Sequence, residues 1–154
     1  MKDPNHANKI EMLGRNHLIA QLVKADVHVA VPMWDQGVDL IAYYESKSGF
    51  IARPLQLKAS KATRWGVYKK YAQIKDLLIV HIWHVAKCSD VEIYAMSYPE
   101  AERLLEQTST YATAITYTKP GGHYDTANIT PTLRLRLDEF KMFPENWRER
   151  LNRR

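Results

Sequence analysis

Two short stretches carry the residues best suited to chemistry. Gly37-Val38-Asp39-Leu40-Ile41 sets a carboxylate among apolar neighbours, and Pro54-Leu55-Gln56-Leu57-Lys58 sets a carboxamide and an ammonium two residues apart. Side chains alternate along an extended chain, so Gln56 and Lys58 share one face while Leu55 and Leu57 point the other way, into a core. A hairpin with a four-residue loop, Ser46 to Gly49, places Glu45 opposite Phe50 and, continuing inward, Asp39 opposite Gln56. A slip of one residue would turn Asp39 to the opposite face, so the chemistry depends on that parity. In this register an acid, an amide and an amine converge in mid-sheet. Carboxylate and carbonyl oxygens are the hard ligands that Mg²⁺ prefers, and a lysine beside such an ion can orient a water or offset charge on phosphorus. The plain alternative is a cross-strand ion pair between Asp39 and Lys58, with Gln56 a spectator.

The elements that must position these groups are legible around them. Residues 8 to 25 repeat Ile10, Leu13, Ile19 and Leu22 at helical spacing, with Gly14 a tolerated lapse. Val27 to Val31 is short, β-branched and stopped by Pro32, which predicts a strand. Val38 to Tyr44 and Phe50 to Ala59 form the hairpin. The stretch from Trp65 to Asp76 reads as helical or irregular. The apolar run from Leu77 to Val85 predicts a strand covered on both faces. Val91 to Met96 predicts another strand, leading into Ser97-Tyr98-Pro99-Glu100, a capping box for a helix ending near Thr108. Tyr111 to Tyr117 reads as an edge strand, Thr130-Pro131 opens a helix through Phe140, and Pro144 opens a short last one. No repeat or linker interrupts residues 1–154, so one α/β domain is expected.

Composition bounds the function classes. With 45% hydrophobic and 25% charged residues in 154, the chain can build one real core and is neither disordered nor membrane-embedded. The longest apolar run is about half the ~20 residues of a spanning helix. A single cysteine, Cys88, allows no internal disulfide. With no secretory leader legible, it points to the cytoplasm. The net charge of +5 is a mild bias toward anionic partners, but its distribution is uneven. From Lys58 to Lys75 there are six cations and no acid, and Trp65, Tyr68 and Tyr71 lie among them. Cations with interleaved aromatics suit a phosphate backbone and stacked bases, and equally suit a solvated basic face. Within this run Lys61, Arg64, Tyr68, Lys69 and Lys70 are the candidate nucleic-acid contacts. Arg148, Arg150, Arg153 and Arg154 form a second cationic cluster.

A helix, a strand with Asp, a hairpin and a strand with Glu- or Gln-x-Lys together resemble the PD-(D/E)XK nuclease superfamily. The wording here, Leu-Gln-Leu-Lys-Ala-Ser, is similar to branches that write Gln-x-Lys, among them intron-encoded endonucleases and small proteins related to junction resolvases. The resemblance covers residues 8 to about 105. It implies a restriction-endonuclease-like mixed β-sheet flanked by helices and Mg²⁺- or Mn²⁺-dependent hydrolysis of DNA phosphodiesters, a deoxyribonuclease activity. By carry-over Asp39 and Gln56 would hold the metal, the Leu57 carbonyl would assist, and Lys58 would serve the attacking water. Cutting two strands suits a homodimer. Many members place a glutamate in the first helix. Here Asn16 stands at that position and Glu11 is the only acid of the helix, so Glu11, Asn16 and Asp35 are the supplementary candidates. The reading from a different class is a nuclease fold with an eroded site that only binds nucleic acid or protein.

Other signals are weaker. Gln73-Ile74-Lys75 repeats the Gln-x-Lys spelling without a hairpin before it. His81 and His84, at odd spacing in one strand, face opposite sides and read as satisfied structural histidines. His17 is a remote proton-carrier candidate, and Cys88 reads as packing.

Overall fold

In a computed structural model, described here for residues 5–108, 117 and 119–153, chain order runs helix, hairpin sheet, small sheet and closing helices. Helix α1 (His6–Lys24) leads to strand β1 (His28–Ala30), then to the hairpin β2 (Leu40–Ser46) and β3 (Gly49–Ala59). Strand β4 (Trp65–Tyr68) runs into a 3₁₀ turn, Lys69–Tyr71. Next come β5 (Leu78–Trp83), β6 (Glu92–Ser97) and α2 (Tyr98–Thr108). After the short strand β7 (His123–Thr126), helices α3 (Pro131–Leu137) and α4 (Trp147–Asn152) close the chain.

The main sheet has the order β1-β2-β3-β5-β6. β3 and β5 are parallel and the other neighbours antiparallel, so the sheet is mixed. Alternation divides its side chains between two cores. Leu40, Ala42, Tyr44, Leu55, Leu57, Leu78, Val80 and Ile82 face α1 and α4, meeting Leu18, Leu22, Trp147 and Leu151. Each such leucine withdrawn from water contributes about 1.5–3 kcal/mol. On the opposite face Trp83, Tyr94 and Met96 pack under Trp65, Val67, α2 and α3. β5 is buried throughout, as its unbroken apolar run predicts.

The buried stripe of α1 is Gly14, Leu18 and Leu22, four residues apart, while Leu13 is exposed. Gly14 is no lapse. A Cβ there would lie 2.5 Å from that of Ala59, so the missing side chain lets α1 approach the end of β3. The capping box forms as expected: Glu100 accepts from the Ser97 backbone N–H at 2.7 Å, and Ser97 Oγ accepts from the Glu100 N–H at 3.4 Å. Thr130 caps α3 by accepting from Leu133 N at 3.2 Å, and the segment ends in a 3₁₀ turn, Asp138–Phe140.

Some expectations are corrected. The hairpin turns on Lys47-Ser48 alone, because Ser46 and Gly49 already pair, yet the register is the expected one, with Glu45 opposite Phe50. The stretch from Trp65 to Asp76 is irregular with one 3₁₀ turn from Lys69 on, as one of its two expected forms had it, but its first four residues are a strand. This is β4, which pairs with β7 in a two-stranded sheet, and β7 itself carries no strong local signal. His84 lies beyond β5 at φ +58°, so it is not the second histidine of one strand. Of the edge strand expected from Tyr111 to Tyr117, residues 111–116 lie outside the described residues, as does Arg154, and Tyr117 itself is helical. Among the described residues no helix is long and apolar enough to cross a membrane.

Candidate active site

Asp39 reaches the sheet just before β2 begins. Gly37, at φ +85°, makes the turn that brings it there, and Asp35 Oδ1 accepts the Gly37 N–H at 3.1 Å. The Asp39 N–H then bonds Leu55 O at 2.8 Å, which extends the hairpin register by one residue and sets Asp39 beside Gln56. Asp39 Oδ2 accepts two hydrogen bonds of 2.6 Å, one from Gln56 Nε2 and one from the Leu57 backbone N–H. Gln56 Nε2 also donates to Leu57 O at 3.3 Å. The amide is therefore no spectator, and no Asp39–Lys58 ion pair forms among the described residues.

Lys58 is held by rings instead. Its Nζ lies 4.8 Å from the centroid of Tyr68 and 5.1 Å from that of Tyr71. Such a cage favours the cation, whereas burial favours the neutral amine. Burial dominates and lowers the Lys58 pKa, with Asp39 and Asp125 opposing the shift. Burial also raises the Asp39 carboxyl. The Leu57 N–H acts against that shift, and the like charges of Asp35 and Glu11 add to it.

These groups line one cleft of about 960 Å³, formed between the Asp39–Lys58 face of the sheet, the first turns of α1 and the β4–β7 sheet. Asp35 and Glu11 are on its wall, and Glu11 is also bonded to Arg15 at 3.2 Å. Asn16 is exposed and is not part of the lining, so the supplementary role expected of it is not supported. His17 is turned elsewhere, its Nε2 3.2 Å from Val85 O. Among the described residues no three His, Cys, Asp or Glu side chains converge as a preformed metal cage. Any ion held here would rely on Asp39, the Gln56 and Leu57 carbonyls and water. That hard, oxygen-only donor set, with Asp35 and Glu11 on the same wall, fits Mg²⁺ or Mn²⁺.

The opposite wall was not legible in the sequence. β7 brings Asp125 against β4, where it accepts two bonds from Arg64 Nε at 3.0 Å, one from Arg64 Nη2 at 2.7 Å and one from Tyr68 OH at 3.1 Å. Burial, with Asp125 next to it, pushes the Tyr68 phenol up to about 12. Of the candidate nucleic-acid contacts named from the sequence, Lys61, Arg64, Tyr68 and Lys70 line the cleft. Lys69 does not, because its Nζ turns to the Tyr117 ring, 5.0 Å from the centroid. Gln73 is on the rim but outside any strand, so Gln73-Ile74-Lys75 is a chance spelling.

His81 departs most from expectation. It is the register neighbour of Lys58 and only 1% exposed, and its Nε2 has no hydrogen-bond partner among the described residues. Burial, with the Lys58 charge adding to it, lowers its pKa to about 4, so the ring is neutral near pH 7.

The terminal cations have partners within the protein. Arg150 is buried and paired with Glu100, Arg153 is paired with Glu149, and Arg148 donates to the carbonyls of Ala25 and Asp26 at 3.1 and 2.8 Å. Of these only Arg150 is buried; Arg148 and Arg153 keep exposed side chains. Compared with protein-family models, with curated proteins and with solved structures, the chain matches none.

Proposed function

We propose that this chain is a metal-dependent DNA endonuclease of PD-(D/E)XK type. The observation that carries the reading is the convergence of Asp39, Gln56 and the Leu57 backbone on one wall of an open cleft, with the desolvated Lys58 amine beside them. Asp39 and the carbonyls of Gln56 and Leu57 would hold Mg²⁺ or Mn²⁺. Bound there, the ion would act as a Lewis acid that polarises a phosphate and offsets its charge. The protein's own part is to keep the carboxylate oriented through the Leu57 N–H and to present Lys58. The lowered pKa of Lys58 suits it to take one proton of the attacking water as the water oxygen bonds to phosphorus; the bridging P–O bond breaks with its electron pair on the leaving sugar oxygen, which takes a proton from solvent water. Lys61 and Lys70 supply the cations that hold the backbone on either side.

A second reading has a specific observation behind it. With its amide nitrogen on Asp39, Gln56 satisfies the carboxylate without an ion, as an eroded site that only binds nucleic acid would. Cleavage of supercoiled and branched DNA, with Mg²⁺, Mn²⁺ or chelator, separates the two. The nuclease reading expects metal-dependent nicking that falls on the order of a thousand-fold in Asp39→Asn and in Lys58→Ala, each folded like the parent by circular dichroism. Nicking that is equal in variant and parent would overturn the assignment. DNA binding without cleavage, and without Asp39-dependent Mn²⁺ uptake by calorimetry, would establish the binding module.

A further inference from the structure

The sheet face that carries Asp39 continues beyond the cleft. Two residues along, Ile41 pairs with Pro54, and side-chain alternation turns both to the same side as Asp39 and Gln56. That step is about 7 Å along the strand, within reach of one nucleotide. Here the face is left open by the small sheet and by α2 and α3, which cover only the β5–β6 half. The open part is a hollow of about 310 Å³, walled by Pro32, Trp34, Val38, Ile41 and Pro54. Gln36 lines both the hollow and the cleft, so the two cavities share a wall.

Trp34 is the unusual member. It is 75% exposed, and its neighbour Met33 is 86% exposed, whereas Trp65, Trp83 and Trp147 are wholly buried. An indole left in water beside an apolar hollow lacks the partner that its flat face is suited to. Its loop is tethered to the site, since Asp35 caps the Gly37 turn that delivers Asp39. Chemistry then selects the occupant. The hollow offers flat apolar walls, the neutral amide of Gln36 and a margin of Arg53, whose guanidinium is engaged by the Asp76 and Arg153 carbonyls, while the adjoining cleft offers Lys58, Lys61 and Lys70 to an anionic backbone. A planar heteroaromatic ring with polar edges, attached to a phosphate chain, matches both halves.

We propose that the Trp34 hollow is a nucleobase subsite. An unpaired or extruded base next to the scissile phosphate stacks on Trp34 between Ile41 and Pro54, with the Gln36 amide at its edge. The inference rests on the nuclease reading and narrows its substrate class to DNA that carries an unstacked base at the point of cleavage.

The test uses the full chain in chelator, so that binding is read without cleavage. Two fluorescein-labelled duplexes are compared, one fully paired and one with a single unpaired 2-aminopurine. The unpaired duplex should bind more tightly, quench 2-aminopurine fluorescence on binding and protect the one exposed tryptophan from acrylamide. Trp34→Ala should weaken its binding by about ten-fold or more, Trp34→Phe by less, and the paired duplex should be nearly unaffected. If both duplexes bind and neither preference nor affinity depends on Trp34, the subsite is refuted and the nuclease reading survives. If the parent binds neither duplex at low salt, in chelator or with Mg²⁺ added, the nuclease reading fails and takes the subsite with it. If Trp34→Ala instead dissociates a dimer in sedimentation while DNA affinity is unchanged, the hollow is a protein interface and the proposal is overturned.

Discussion

The two cationic clusters of this chain are alike on paper and opposite in the folded protein. Lys61 and Lys70 stand on an open cleft, and Lys58 is aimed into it from β3 between two tyrosine rings and in no ion pair among the described residues. Arg148, Arg150 and Arg153 are committed to carbonyls and carboxylates. The difference lies in what each cation faces after folding. A charge already paired has little left for a ligand, whereas an unpaired charge at a concave surface concentrates anions there. Arg64 falls between the two. It stands in the cleft, yet its guanidinium is engaged bidentately by Asp125.

The contrast can be broken from either side. The largest effect is expected at Arg150, which is only 7% exposed. Glu100→Ala would leave that guanidinium buried and unpaired, lowering stability in urea unfolding by about 3 kcal/mol. Duplex affinity should not change, and a loss of affinity in the folded variant would mean that the terminal cluster does bind DNA. A smaller effect is expected for the double change Lys61→Glu with Lys70→Glu. Duplex binding should weaken by about ten-fold near 0.1 M salt, and the slope of log K against log salt should become shallower by about two, with stability intact. Unchanged binding would remove this surface from the nucleic-acid interface.

The third effect vanishes at neutral pH. His81 has its folded pKa lowered to about 4 from an ordinary 6.5, so between those values the unfolded chain binds a proton that the native one does not. Its contribution to stability is complete above about pH 6.5 and is lost as pH falls toward 4. His81→Phe should flatten that part of the stability–pH curve, and an unchanged slope would show that the ring is solvated in the native state.

How far the sequence foretold all this is best judged residue by residue. The facing of Asp39 and Gln56 was legible because it is a matter of parity. Apolar Leu40, Leu55 and Leu57 admit one register that buries them, and Glu45 opposite Phe50 follows from it. The central strand β5 and the Ser97–Glu100 box were legible for similar local reasons. The far wall of the cleft was not. β4 is four residues long and finds its partner across nearly sixty residues, so neither Trp65–Tyr68 nor His123–Thr126 shows a pattern of its own. Missing that pairing hid Asp125, and with it the engagement of Arg64. His81 was misjudged because burial can be read from neighbours but hydrogen-bond satisfaction cannot. Lys69 and Lys70, adjacent in sequence, diverge because the 3₁₀ turn at Lys69–Tyr71 points them to different surroundings.

Gly14 shows how a missing atom can set electrostatics from a distance. It is buried where α1 crosses the end of β3, and Glu11 sits one turn earlier, within electrostatic reach of Asp39. An alanine methyl at this crossing would wedge the helix outward and draw Glu11 away from the carboxylate whose proton affinity it raises. The bare spot on the helix thus works as a spacer gauge, holding a remote charge at a working distance although nothing at position 14 touches the site.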